Sequence, residues 1–188
     1  MMTPHSQRSS GLGEGMNQTD PDFAIWSAVM NVCDRNAILR RLQEIGERNG
    51  THIICFDMEK MVGVRHAEEA IRHAYRSFFC GNPISNSFEM EALLYAAGTR
   101  QCAIAASFGI HDGENHLYVC CCPSRDAVLV DLSKHMRFVS VPEEGGPIEK
   151  ISVLAALFDI TPEELDAAGV ERVVDLVIER IALLEISK

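Results

Sequence analysis

Three consecutive cysteines, Cys120-Cys121-Cys122, form the densest run of reactive side chains in the sequence. Thiolates bind soft metal ions and attack electrophiles, so such a run could hold zinc or supply a nucleophile. The stretch around it, HLYVCCC (116–122), reads as a strand, on which Cys120 and Cys122 share one face and Cys121 takes the other. Three thiolates cannot converge on one ion from there. The seven cysteines of the chain include no CxxC pair, and the run reads as small buried hydrophobes.

The remaining candidates are equally bland. Seven histidines are scattered with no HExxH or HxH spacing, although His66 and His73 stand seven apart on one helical stretch. Asp57, Glu59, Glu89 and Glu91 could pair as carboxylates, yet Glu89 follows Asn86 at a capping-box spacing and Glu91 falls on the other side of the same helix. No glycine-rich phosphate loop is present. The residues therefore assign no catalytic group, no metal site and no cofactor.

The elements that must carry these residues follow from pattern and punctuation. AIWSAVMNV (24–32), HIICF (52–56), HLYVCCC (116–122) and RFVSV (137–141) read as strands. Asp34 starts a helix over 35–48, and further helices are expected over 65–79, 87–97 and from about 99 or 100 to 107. Another begins at Ser124 or Asp126 and ends near His135, and the C-terminal part is wholly helical over 148–158, from Thr161 on, and 170–185. Gly98 is placed to stop one helix, and Thr161-Pro162-Glu163-Glu164 is a capping box. Irregularly alternating short strands and a helical C-terminus predict an α+β (mixed α/β) fold: a small, mostly antiparallel sheet packed with several helices.

At 188 residues, 47% hydrophobic and 23% charged, the chain suits one globular domain, expected over 23–188. Residues 1–22, rich in Ser, Gly, Thr, Asn and Pro, are expected to be a disordered leader. No stretch is long and apolar enough for a membrane span, and the start has no signal-peptide core, so a reduced, cytoplasmic protein is expected.

The formal charge of -10 opposes nucleic-acid binding by bulk electrostatics. Its distribution does not. Residues 141–188 hold 4 basic and 11 acidic side chains, and the rest is near neutral. Within that remainder Lys60, Arg65, Arg72, Arg76 and Arg100 bunch together with His66 and His73 among them. A local cationic surface on an acidic protein is possible.

The stretch NPISNSFEMEALLYAAGTRQ (82–101) carries a spaced pattern: Asn86-Ser87, Met90-Glu91, then Ala97-Gly98-Thr99-Arg100-Gln101. With FDMEKMVGVRHAEEAIRHA before it and VVDLVIERIALLEI at the end, over roughly 24–188, the chain resembles the kinase-binding regulatory subunits of the KEOPS (EKC) complex. That assembly installs the threonylcarbamoyl group on adenosine 37 of tRNA. The resemblance implies a non-catalytic subunit that binds the small atypical kinase/ATPase subunit, meets other KEOPS subunits indirectly, and helps recruit tRNA by its 3′ CCA end. On that basis Lys60, Arg65, His66, Arg72, Asn86, Arg100 and Gln101 are the expected tRNA contacts, with Arg100 on a phosphate and Asn86 and Gln101 on base edges.

The last helix carries an apolar surface wider than one core-facing seam. Val177, Ile181 and Leu184 share a face and, given the resemblance, are the expected kinase contacts. Two alternatives stand beside this reading: a thiol-dependent enzyme built on the cysteine run, and a protein-interaction module with no RNA role.

Overall fold

The computed structural model describes residues 7–8, 20–140, 148–169 and 172–186. In chain order the elements are β1 (Gln7–Arg8), β2 (Ala24–Val32), α1 (Arg35–Asn49), β3 (His52–Asp57), α2 (Val64–Cys80), α3 (Phe88–Ala96), α4 (Cys102–Ala105), β4 (Gly113–Cys122), α5 (Val128–Leu132), β5 (Arg137–Val139), α6 (Ile148–Leu157), α7 (Pro162–Ala168) and α8 (Val173–Ile186). Short 3-10 turns occupy Met58–Lys60 and Ala106–Phe108. The class is α+β. Contacts divide the chain into two compact units, Met1–Cys55 with Ile110–Val141, and Phe56–Gly109 with Pro142–Lys188.

The first unit is built on the sheet, ordered β1-β2-β4-β3 with β5 also on β2. β2 and β4 pair antiparallel along their whole length, from Ala24 opposite Cys121 to Val32 opposite Gly113. β1 and β5 both run antiparallel to β2, Gln7 opposite Ile25 and Phe138 opposite Ala28. The register fixes the core. Ala24, Trp26 and Ala28 lie opposite Cys121, Val119 and Leu117, and this face packs with Ile53 and Cys55, Leu42 and Ile45 of α1, and Val128 and Leu132 of α5. The alternate residues Ile25, Ile54, Cys120 and Cys122 are buried too, so the strands read as apolar on both faces. α1 starts where the Asp34 carboxylate accepts the Ala37 amide at 3.0 Å.

The helical unit assembles α2 against α3 and α8, with α3 and α6 also packing on α8. Ala67, Ala70 and Ala74 of α2 and Ala92 and Ala96 of α3 are fully buried, and their small side chains let the helices approach closely. α7 opens with a complete capping box: Thr161 Oγ1 accepts the Glu164 amide at 3.2 Å, and Glu164 accepts the Thr161 amide at 2.9 Å.

Several expected boundaries shift. The helix expected from 99 or 100 shrinks to α4 followed by a 3-10 turn, because Gln101 stays extended before it. α5 is five residues long, and β5 ends at Val139. Helix α3 is capped by Ser87, whose hydroxyl accepts the Met90 amide at 3.2 Å, and not by Asn86. Of the expected leader, residues 7–8 pair with β2 and 20–22 are described; its remainder, like 141–147, lies outside the described residues. Among the described residues no helix is long and apolar enough to cross a membrane.

Candidate nucleic-acid interface

The spaced pattern at 82–101, in the helical unit, forms the loop before α3, α3 itself and the corner that leads to α4. At its head, the loop 81–87 turns around a buried carboxylate. Glu91 accepts the backbone amides of Ile84 at 3.0 and 3.1 Å and of Ser85 at 2.8 Å, and the Ser77 hydroxyl donates to it at 2.7 Å. Charge-assisted bonds of this kind are the strong ones, and together they satisfy an anion that burial would otherwise penalise. At its foot, Gly98 takes φ +59, the left-handed region open to glycine. The Gly98 amide bonds to the Tyr95 carbonyl and the Thr99 amide to the Leu94 carbonyl, a Schellman stop. Asn86, within that loop, and Arg100 and Gln101, just past Gly98, are exposed.

The cations expected to join them are held at separate anchors. The Lys60 ammonium donates to the Ser107 carbonyl and lies 5.9 Å from the Phe108 ring centroid. Arg65 pairs with Asp175 in the first turn of α8 at 2.8 Å. Arg72 is engaged along its own helix, 2.8 Å from Glu69 and 3.8 Å from Glu68. The Arg100 guanidinium reaches the Leu184 carbonyl at 3.4 Å. Asp175 and Leu184 stand nine positions apart on α8, so the anchors of Arg65 and Arg100 bracket a span of about 14 Å. That spacing suits a strand tracked over successive phosphates rather than one convergent pocket.

His66 leaves the surface set. Its ring is fully buried, with Nε2 donating to the Ala96 carbonyl at 2.9 Å and Nδ1 accepting the Val62 amide at 3.4 Å. Burial holds its pKa down at about 4, with the Ala96 bond opposing, so the imidazole is neutral and offers nothing to a phosphate. The helical pattern places His66 correctly on α2, but on its inner side.

The expected kinase contacts are corrected in the same way. Val177, Ile181 and Leu184 are buried, on the side of α8 packed within its own unit. The wide apolar surface of α8 serves the core first. Among the described residues the large apolar side chains that the helical unit leaves exposed lie elsewhere, at Phe79 on α2, Ile104 on α4, Val153 and Leu157 on α6 and Leu183 on α8.

Two residues that the sequence alone does not mark as structural partners anchor the C-terminal helix. The Glu185 carboxylate accepts His73 Nδ1–H at 2.7 Å and lies 3.7 Å from Arg76. The His73 ring stacks on Tyr95, centroids 5.5 Å apart.

The cysteine run offers no nucleophile. Cys120, Cys121 and Cys122 are buried, and desolvation pushes the Cys121 and Cys122 thiols up, the latter to about 12. Cys55, on the same core face as Cys121, is likewise raised to about 12. These thiols stay protonated at neutral pH. Among the described residues no group of three or more His, Cys, Asp or Glu is placed to hold a metal ion. No family model matches the chain, and no curated protein matches it in sequence.

Proposed function

We propose that this protein is a non-catalytic subunit of the KEOPS tRNA-modification complex, which binds the small atypical kinase/ATPase subunit and helps recruit tRNA through its 3′ CCA end. The observation that carries the reading is the division of labour within residues 82–101. Ser87 and Glu91 are spent on holding the loop and start of α3, Gly98 on turning its end, and Asn86 at one end and Arg100 and Gln101 at the other are left to solvent. A short helix presenting an amide at one end and a guanidinium and an amide at the other is suited to a short single strand, which needs a phosphate partner and base-edge hydrogen bonds more than a large basic field. The small number of cations predicts weak, salt-sensitive affinity for tRNA by the isolated subunit. The kinase surface is assigned to the exposed apolar positions of α6, Val153 and Leu157, in place of the buried face of α8.

The competing thiol-enzyme reading is disfavoured by the protonated, buried state of Cys121 and Cys122. A pure interaction module would share the kinase surface and lack the RNA one. Arg100→Glu separates these readings. Arg100 is exposed and makes one long hydrogen bond, so the variant folds; its tRNA affinity falls about tenfold and its salt slope shrinks by roughly 0.7, while kinase co-purification persists. Equal binding of tRNA by variant and wild type would contradict the assignment.

A further inference from the structure

The end of α2 carries aromatic rings in mutual contact. The Phe79 centroid lies 4.9 Å from Tyr75, 5.1 Å from Phe78 and 5.3 Å from Phe88. Phe88 is buried and seats the group, Tyr75 and Phe78 are half-buried, and Phe79 leaves 50% of its surface in solvent. A lone exposed phenylalanine is ordinary, but a ring supported by three others is an apolar face held in a fixed orientation.

The charges on the same stripe say what that face fits. Arg72 and Tyr75, like Arg76 and Phe79, stand three apart, and Arg72–Arg76 and Tyr75–Phe79 four apart, so cations and rings interleave along one side of α2. Both guanidiniums sit in partly exposed ion pairs with Glu69 and Glu185, weak enough for a phosphate to share or replace the carboxylate. Just past the helix, the loop pinned by Glu91 adds the exposed amides of Asn82 and Asn86. Rings for stacking, guanidiniums for phosphates and amides for base edges make up a single-strand binding surface. An apolar peptide would be served as well by aliphatic side chains and has no use for cations between the rings.

We infer that Phe79, backed by Tyr75, is the stacking platform for a base of a single-stranded RNA 3′ end, with Arg76 and Arg72 following its phosphates. The inference rests on the tRNA reading above and extends it to the end of α2, beyond Arg65, His66 and Arg72 that the sequence marked on that helix.

Fluorescence anisotropy of a 5′-labelled single-stranded RNA ending in CCA tests it, using the full chain with Phe79→Ala, Phe79→Leu or Phe79→Trp, and Arg100→Glu beside them. Loss of one stacked base weakens binding about fivefold to a hundredfold in the Ala and Leu variants, and the Trp variant binds at least as well as wild type. Leucine keeps apolar contact without a π-face, so a Leu variant equal to wild type overturns stacking. Should Phe79→Ala impair folding, seen as a lowered melting temperature, the Leu and Trp pair carries the comparison. If Arg100→Glu weakens binding and every Phe79 variant leaves it unchanged, the platform falls and the tRNA reading stands. If wild type binds no RNA, both fall.

Discussion

The carboxylate of Glu91, a fully buried side chain on the first turns of α3, accepts the backbone amide of Ser85, six residues earlier, at 2.8 Å. With the Ile84 amide and the Ser77 hydroxyl it makes Glu91 the internal counter-anion of the loop 81–87. The candidate site borrows its rigidity from this one side chain.

Glu91→Ala therefore strands two half-buried amides and the buried Ser77 hydroxyl. The expected loss is about 2–4 kcal/mol of stability, since each unsatisfied buried polar group costs about 1–3 kcal/mol and part of the loop can relax toward solvent. Urea unfolding measures it, and amide exchange at residues 84 and 85 accelerates in the variant. Unchanged exchange there would show that the loop is held by something else.

His66 sets an acid limit. Its folded pKa, about 4, lies below the unfolded value of 6.5, so the unfolded state binds more protons between them. The stability that neutral His66 contributes is present above pH 6.5 and lost as pH falls toward 4, on the order of 3 kcal/mol in all. Unfolding free energies from pH 7 to 4 should show this slope in wild type and a shallower one in His66→Gln, whose amide can still donate to Ala96. Parallel slopes would contradict a buried, neutral His66.

The two apolar surfaces of the helical unit separate by what truncation costs. Ile181→Ala opens a cavity in the packed interior and is expected to cost about 2–5 kcal/mol, whereas Val153→Ala, at a side chain 69% exposed, stays within about 0.5 kcal/mol. Val153→Asp keeps the fold and lowers kinase co-purification. Retained co-purification would move the kinase surface off α6.

What could be read from sequence was local. Asp34, Gly98 and Thr161 act through bonds to residues within a few positions, so their types announce the helix ends they make. The strands were legible because apolar runs bounded by turns admit few other readings, and their two-sided burial follows from the same runs. Ser87 displaced Asn86 as the cap because either side chain suits the role, and only backbone geometry chooses between neighbours.

The site was harder, since burial is a property of the whole unit. Periodicity placed Val177, Ile181 and Leu184 on one face but could not say whether that face looks in or out. His66 suffered the same ambiguity on α2. The spaced pattern marked Glu91 but not its role, because backbone amides that any residue could supply are among its partners. Nothing in the sequence pattern marks the rings at the end of α2, and Phe79's exposure is what sets them apart.

The most direct test of the account compares the affinity of the full chain for one tRNA with and without its terminal CCA, at low salt. Loss of the three nucleotides removes the single strand that Asn86, Arg100 and Gln101 are proposed to hold, and binding should weaken at least tenfold, as the loss of about one stacked and hydrogen-bonded base implies. Equal affinity for the intact and trimmed tRNA would contradict it.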